Sequence, residues 1–128
     1  MDPSPSHASV IGMNALLFLA ALSAAAAPQS ETQRRCGWID NPTPGNWWLT
    51  DGDGEWLIGA QGGYQAPGMD EMPDMTTRGW VRTNGNYGHG CGCMDVTVDR
   101  ADMRITRIAR ATPRPLRQCR ADRNLPRR

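Results

Sequence analysis

The chain has 128 residues, with 14 basic and 13 acidic side chains and a formal net charge of +1. This length accommodates one domain, and it is too short for a barrel enzyme or a full dinucleotide-binding domain. The even charge balance argues against a histone-like nucleic-acid coat, and the five tryptophans and four cysteines argue against a disordered chain.

The first 27 residues are predicted to be a signal peptide. Residues 15–27 form the apolar run ALLFLAALSAAAA, which has the length of a signal-peptide core. A membrane span needs about 20 residues, so this run is too short to cross a bilayer comfortably. We predict cleavage near residues 25–27 and a polar lead over 28–35, with Met1 or Met13 as the start. No basic residue precedes the run, so a retained anchor or a buried helix is the alternative. The processed protein is expected to be periplasmic or secreted, with no stable membrane span.

An oxidising compartment predicts that the four cysteines form two disulfides. Cys91 and Cys93 are separated by one glycine. In a strand their side chains would point to the same side about 7 Å apart, which is a poor geometry for a bond between them. We therefore expect each of them to pair with one of Cys36 and Cys119, which leaves two connectivities open.

The body, residues 36–128, is predicted to be a single small all-β domain. Short apolar runs alternate with Gly, Pro, Asn and Asp, and no stretch sustains a helical period. We expect a small antiparallel sheet of about five short strands, stapled by the two disulfides. The predicted strands cover residues 47–50, 55–58, 79–83, 91–98 and 103–108.

The DGDG turn sets the register of the first hairpin. It places Leu49 opposite Trp56 and Trp47 opposite Ile58, with all four in the core. Trp48 then lies on the other, mixed face, and it is the tryptophan expected to be partly exposed.

The later hairpin is expected to pair Met103 with Val98 and Ile105 with Val96. A bulge or the end of the strand is expected at Arg107. The preceding segment, residues 84–90 (NGNYGHG), is predicted to be a flexible glycine-rich loop. After residue 108 the chain is rich in proline and arginine, and we expect an extended tail.

Charge is distributed unevenly along the body. Residues 36–98 contain eight acidic residues and two arginines, a net of −6, whereas residues 99–128 contain ten arginines and three aspartates, a net of +7. We expect this Arg-rich tail to lie over the acidic body, held by Cys119. The alternative is an anion-binding surface for a cell-wall polymer, lipid head groups or an acidic partner. Export argues against nucleic acid as a partner.

Metal sites are less favoured than plainer explanations. The four cysteines and His89 have zinc-ligand chemistry, but the C-x-C spacing and export favour disulfides. The DGDGE segment alternates carboxylates as calcium sites do, yet the rest of the calcium-loop pattern is absent. Soft Cu(I) is the remaining alternative, because three methionines recur at a spacing of three, Met69, Met72 and Met75. We predict no metal and no cofactor.

Aromatic and amide side chains beside glycine-rich turns form the predicted binding surface. Such groups suit glycans, and loops carry function more often than strands, although asparagine and glycine also simply build turns. The predicted binding residues are Trp48, Gln61, Tyr64, Gln65, Asn84, Asn86 and Tyr87. No catalytic residue is predicted, because paired cysteines leave no thiol nucleophile and His89 has no partner at a telling spacing.

Four segments carry a family resemblance: RCGWIDNPTPGNWWLTD, QGGYQAPGMD, GWVRTNGNYGHGCGCMDVTVDR and PLRQCRADRNLP. Together they resemble the bacterial family catalogued as domain of unknown function 4087, from Arg35 to about Pro126. The resemblance implies a small exported protein and supplies no catalytic residues.

We therefore predict a non-catalytic binding or envelope-associated module, whose partner would be a cell-envelope polymer or an exported protein. An inhibitor of a secreted hydrolase, using the loop at residues 84–90, is the first alternative. A periplasmic copper binder is the second alternative, and an enzyme is the least favoured class.

Overall fold

The computed structural model describes residues 3–4 and 31–128, so the predicted cleavage region and nearly all of the predicted signal peptide lie outside the described residues. The all-β prediction with two disulfides is confirmed, with six strands in place of about five. The strands are β1 (Gln33–Thr43), β2 (Asn46–Asp51), β3 (Gly54–Gly59), β4 (Val81–Asn84), β5 (Tyr87–Asp99) and β6 (Arg104–Arg114).

Among the described residues, helical structure is confined to short pieces. The 3-10 turns Met69–Glu71 and Met75–Thr77 follow β3, and the helix α1 (Leu116–Ala121) follows β6. Within residues 3–4 and 31–128, no helix combines the length and the apolar character needed to cross a bilayer.

Five of the strands close into a small barrel. β1 pairs with both β2 and β5, β2 pairs with β3, and β5 pairs with β6, all antiparallel. β3 meets β6 in the parallel direction, which completes the circuit β1-β2-β3-β6-β5-β1. β4 pairs with the beginning of β5 only. A five-stranded barrel with this order and one parallel pairing has the topology of the OB-fold, a partly open barrel.

β1 is the strand that the sequence did not predict. It begins at Gln33, inside the predicted polar lead, and includes Pro42. Its pairing with both β2 and β5 closes the barrel wall.

The seam between β3 and β6 is closed mainly by the segment 64–68. The two strands share one pairing, in which the N–H of Leu57 donates to the carbonyl of Met103 at 2.9 Å. Farther along, the N–H of Ala66 donates to the carbonyl of Ile58 on β3, also at 2.9 Å. The carbonyl of Pro67 accepts from a backbone N–H of β6 at 2.8 Å. This segment therefore fills the gap as a spacer between the strands.

The barrel interior contains the main hydrophobic core. Alternate residues of each strand point inward, as the period of two requires. The fully buried interior side chains are Ile39, Leu49, Trp56, Ile58, Met94, Val96 and Ile105. Gly92 on β5 makes room for this core, because a Cβ there would lie 2.8 Å from Ile39 and 2.9 Å from Met75.

The register of the first hairpin agrees with the prediction near the turn and departs from it farther away. Leu49 lies opposite Trp56, as predicted. Trp47 lies opposite Gly59 and not Ile58, because a bulge separates Trp47 from the regular pairing. Trp47 is consequently only half-buried and packs at the edge of the core.

The predicted register of the second hairpin is wrong. Ile105 lies opposite Val98 and Ile108 lies opposite Val96, so β6 is shifted by two residues or more from the expected alignment. Two residues of β6, Thr106 and Ala109, have no partner on β5, so β6 itself bulges on both sides of Arg107, close to the position where the sequence predicts a bulge. The bulges let the isoleucines face the interior while the arginines of β6 face out.

Two predictions about irregular segments are corrected. The chain at 84–90 is a tight hairpin between β4 and β5, and residues 87–90 belong to β5. The glycines there permit close packing: a Cβ on Gly88 would lie 1.8 Å from the carbonyl oxygen of Val81. After residue 108, β6 continues to Arg114 and is followed by α1, so only the final residues form an extended tail.

One end of the barrel is sealed by polar groups around Arg35. The Nη1 of Arg35 donates to Asp51 at 2.7 Å and to Asp53 at 2.8 Å, and the guanidinium stacks 4.2 Å from the ring centroid of Trp56. Burial alone lowers the pKa of Arg35, but the hydrogen bonds to Asp53 and Asp51 outweigh it and raise the pKa. The opposite end is covered by Ala66 and Met75, which are buried in the core.

A second cluster lies outside the barrel. The disulfides are Cys36–Cys93 and Cys91–Cys119, which realise one of the two expected connectivities. Cys91 faces outward and joins Trp38, Cys119 and Leu125 in a small apolar group, the outer cluster. This cluster attaches α1 and the C-terminal residues to the outer face of β1 and β5.

Candidate ligand-binding site

A row of four side chains crosses the outside of the barrel at Trp48. The register aligns Asp40 with Trp48, Trp48 with Leu57, and Leu57 with Arg104. Residues paired in this way project from the same face of a sheet. Because Leu49, the next residue of β2, is buried inside, the row faces outward. We call these four residues the Trp48 row.

The Trp48 row combines an apolar centre with charged ends. Trp48 and Leu57 are half-buried, and Trp48 has the partial exposure that the sequence predicted. The carboxylate of Asp40 stands at one end, where it forms an ion pair with Arg128. The guanidinium of Arg104 stands at the other end. A half-buried indole between two charged groups suits a ligand with flat apolar faces and polar edges.

Tyr64 is placed in the seam and does not present a free ring. Its hydroxyl donates to the carbonyl of Ile105 at 2.8 Å, and Arg104 lies 4.4 Å from its ring centroid. Both the polar tip and one face of Tyr64 are therefore already engaged. The Nε of Arg104 is buried and has no hydrogen-bond partner among the described residues. Tyr64 thus positions the charged end of the Trp48 row.

Gln61 and Gln65 lie on the exposed surface near the β1–β2 turn. The backbone N–H of Gln61 donates to the side chain of Asn46 at 2.9 Å. The side chain of Gln65 donates to the carbonyl of Ala60 at 3.2 Å. A Cβ on Gly45, whose φ is 74°, would lie 3.1 Å from the Cα of Gln61. Glycine is therefore needed where the two turns approach each other.

Asn84, Asn86 and Tyr87 occupy the β4–β5 hairpin. The side chain of Asn84 makes a long hydrogen bond of 3.4 Å to the carbonyl of Pro42, while the carbonyl of Asn86 accepts from the indole of Trp80 at 3.0 Å. Tyr87 is half-buried and opens β5. The hairpin is thus tied to β1 at the NPTP segment.

The β1–β2 turn brings five of the seven predicted binding residues to one end of the barrel, namely Gln61, Gln65, Asn84, Asn86 and Tyr87. This turn contacts the Gln61 segment through Asn46 and the β4–β5 hairpin through Pro42. Asn41 organises it internally by donating to the carbonyls of Thr43 at 2.9 Å and Asn46 at 2.8 Å. The predicted residues therefore do not form one surface, because Trp48 lies on the adjoining wall and Tyr64 lies in the seam.

His89 lies on the outer face of the barrel, where the sequence did not place it. It projects from β5 opposite Asp40, and its ring meets that of Trp38 edge-on with centroids 5.5 Å apart. The pKa of His89 is lowered, first by burial and then by the positive charge of Arg128; Asp40 acts in the opposite direction and Arg120 in the same one. No nucleophile among the described residues contacts it, so the geometry offers no catalytic pair.

The structure brings the three methionines together and places His89 apart from them. Met69, Met72 and Met75 line one cavity of ≈ 270 Å³ beside Asn41. His89 projects from β5 on the face opposite to the one that contacts Met75. In the part of the chain that the structure describes, no group of three His, Cys, Asp or Glu residues is arranged to hold a metal ion.

The carboxylates of the DGDGE turn have structural partners. Asp51 accepts from the indole N–H of Trp56 at 2.9 Å and from the backbone N–H of Asp53 at 2.9 Å, and both aspartates bind Arg35. The guanidinium thus occupies the place that a calcium ion would take between them.

Comparison with known proteins gives one match. No curated protein and no solved structure matches the chain. Residues 30–126 match the family described as Protein of unknown function (DUF4087), which covers the whole barrel, both disulfides and α1. The chain therefore belongs to the DUF4087 family.

Proposed function

We propose that this protein is an exported, non-catalytic binding module that holds a cell-envelope glycan on the outer face of β2 and β3. The observation that carries the proposal is the Trp48 row, which places a half-buried indole between Asp40 and Arg104. Indole faces bury the apolar faces of sugar rings, and the flanking charges bind hydroxyl groups at the ring edges.

The barrel topology supports this location by analogy. OB-fold barrels bind oligosaccharides and oligonucleotides on the face formed by their second and third strands. The Trp48 row lies on the corresponding strands, β2 and β3. Fold analogy alone does not define a function, so the argument depends on the side chains of the row.

The cysteines support export. Both pairs are bonded, and no free cysteine occurs among the described residues. Disulfides persist in the periplasm or outside the cell and are rare in the reducing cytosol. A periplasmic or secreted location is therefore part of the proposal.

The test is co-sedimentation of the purified, oxidised protein with isolated cell-wall polysaccharide. The wild-type protein is expected to bind, and Trp48→Ala is expected to weaken binding about 10-fold or more, because buried tryptophans contribute on the order of 2 kcal/mol at binding surfaces. Trp48→Phe keeps an aromatic face and is expected to restore most of the affinity. The urea midpoints of both variants should be close to that of the wild type.

Two results would contradict the proposal. One is a wild-type protein that stays in the supernatant with every wall fraction. The other is equal binding by Trp48→Ala and the wild type, which would show that the polysaccharide lies elsewhere on the molecule.

A copper-binding function is a second candidate, favoured by the cavity that the three methionines line. Thioether sulfurs are suitable ligands for Cu(I). Titration of the protein with Cu(I) under a competing chelator would detect such binding. If the methionines bind copper, replacing Met69 and Met72 by leucine should abolish it without unfolding the barrel. The inhibitor alternative gains no support from the 84–90 segment, because most of that segment is paired within the sheet.

A further inference from the structure

A second candidate site lies between α1 and the C-terminal residues. A cavity of ≈ 400 Å³ opens there, which is within the usual range for small-molecule sites. Its apolar floor contains Cys119 and Leu125, both from the outer cluster. The lining also includes four arginines, Arg120, Arg123, Arg127 and Arg128. We call it the arginine cavity.

The walls of the arginine cavity are held in place by three separate tethers. The disulfide from Cys91 fixes Cys119 at the base of the cavity. The indole N–H of Trp38 donates to the carbonyl of Pro126 at 2.8 Å. The last residue, Arg128, forms an ion pair with Asp40 on β1. This basic segment is therefore a fixed structure, which reduces the ordering entropy that ligand binding would require.

Three of the four arginines that line the cavity have no side-chain partner among the described residues, whereas the fourth, Arg128, pairs with Asp40. Within residues 31–128, Arg120, Arg123 and Arg127 form no ion pair or side-chain hydrogen bond. The one acidic side chain in the lining, Asp122, accepts from the backbone N–H of Asn124 at 2.9 Å and so stabilises the turn that precedes Leu125. The cavity thus has an excess of positive charge with free donors.

We propose that the arginine cavity binds a phosphate group. A guanidinium donates two parallel hydrogen bonds to a phosphate. Several guanidinium groups around one cavity match the charge of a phosphate dianion better than that of a ligand with a single carboxylate. The cavity volume leaves room for an organic substituent on the phosphate. The proposal does not depend on the Trp48 row, although Asp40 links the two surfaces through Arg128.

The test is a titration of the oxidised full-length protein with inorganic phosphate at constant ionic strength, followed by ¹H–¹⁵N NMR. The indole N–H signal of Trp38 reports directly, because it bonds to the cavity wall at Pro126. We expect saturable shifts of this signal and of the backbone amides of residues 120–125, 127 and 128. We expect Arg123→Gln and Arg127→Gln to weaken binding at least 5-fold each.

Arg117→Gln is the matched control. Arg117 is an exposed arginine of α1 that does not line the cavity, so its removal changes the net charge equally. The affinity of the Arg117→Gln variant for phosphate should stay within 2-fold of that of the wild type. Equal losses in the Arg117 and Arg123 variants, or no saturable shift in the wild type, would overturn the proposal. Trp48→Ala should bind phosphate normally, which separates this site from the glycan proposal.

His89 supplies a second measurement, since Arg120 and Arg128 lie close enough to influence its charge. Phosphate in the cavity should offset these positive charges and raise the pKa of His89, whereas the same concentration of chloride should not. A comparison of inorganic phosphate with glycerol 3-phosphate distinguishes the two sources of the group. Tighter binding of the ester assigns the site to phosphorylated organic ligands, and tighter binding of inorganic phosphate assigns it to the free ion.

Discussion

The barrel interior and the outer cluster are both buried, but they are assembled in different ways. The interior is formed by alternate residues of five strands that pair with one another, and neither disulfide lies in it. The outer cluster depends on α1 and the C-terminal residues, which contact β5 through one disulfide and β1 through Trp38 and Asp40. We therefore expect the barrel to determine global stability and the outer layer to open locally.

The largest expected effect follows from emptying the interior. Trp56 is fully buried, stacks under Arg35 and donates to Asp51. Trp56→Ala should lower the free energy of unfolding by about 3–5 kcal/mol, measured by urea denaturation, because it leaves a cavity and removes one hydrogen bond from the carboxylate of Asp51. Trp48→Ala, on the outer surface, is the control and should change it by less than about 1 kcal/mol. Similar losses of unfolding free energy in the two variants would contradict the expectation that the barrel interior stabilises the fold more than its outer surface does.

Removing the outer disulfide tests the other half of the comparison. Cys91→Ser with Cys119→Ser opens a loop of 28 residues and should reduce stability by roughly 3 kcal/mol. Limited proteolysis should cut first after arginines between 114 and 128, while the barrel persists. Replacement of Cys36 and Cys93 by serine is the control, because that bond joins two strands of the barrel wall. Simultaneous cleavage of barrel and tail would show that they form one cooperative unit.

The seam provides a test of intermediate size. Gly68 has a φ of 95°, and a Cβ there would lie 2.2 Å from the carbonyl oxygen of Ile108. Gly68→Ala should therefore lower stability by about 1–3 kcal/mol, through strain and through displacement of the spacer from β6. Gly62→Ala has a similar backbone angle without any neighbour within 4 Å, so it isolates the contribution of strain. Equal effects of both substitutions would contradict the proposed closure of the seam.

The smallest expected effect concerns acid stability at the Arg35 end. The hydrogen bond from Arg35 lowers the pKa of Asp53 below its ordinary value of 3.8. Because the pKa of Asp53 is depressed in the folded state, its contribution to stability is complete above the pKa of the unfolded state. That contribution is lost as the pH falls through the pKa of the folded state. As the pH is lowered from about 5 to about 2, the melting temperature of Asp53→Asn should fall less than that of the wild type. Asp70→Asn should melt in parallel with the wild type.

Local signals predicted much of the sheet. The DGDG turn correctly placed Leu49 opposite Trp56, and the alternation through CGCMDVTV predicted the central strand that carries both bonded cysteines. These features depend on residues close in sequence, where turn chemistry and a period of two are sufficient.

The closure of the barrel required information that the sequence does not display locally. β1 pairs at long range with β5, and its polar residues and Pro42 conceal its alternation. The bulges that shift Trp47 and Ile105 out of the expected register depend on how the closed wall fits around the core. Similarly, Tyr64 was predicted as a binding residue because its segment resembles a loop, whereas its hydroxyl is engaged in the seam.

The charge pattern of the sequence predicted the arginine cavity only in part. The basic excess of residues 99–128 predicted a tail over an acidic body, and Arg128 does pair with Asp40. The sequence could not indicate that α1 forms, since its arginines and flanking prolines show no amphipathic period. A helix of one and a half turns is sufficient here because Cys119 fixes it covalently.

The positions of Cys91 and Cys93 on one strand also have a mechanical consequence. Cys36 bonds to Cys93 and Cys119 bonds to Cys91, so three residues of β5 connect the two ends of the barrel domain covalently. Tension applied between the N- and C-terminal segments would pass through this short path. The loops between the bonded cysteines, including the Trp48 row, would carry no load. A protein held between two anchored partners could therefore keep its binding face intact under force for as long as both bonds stay oxidised.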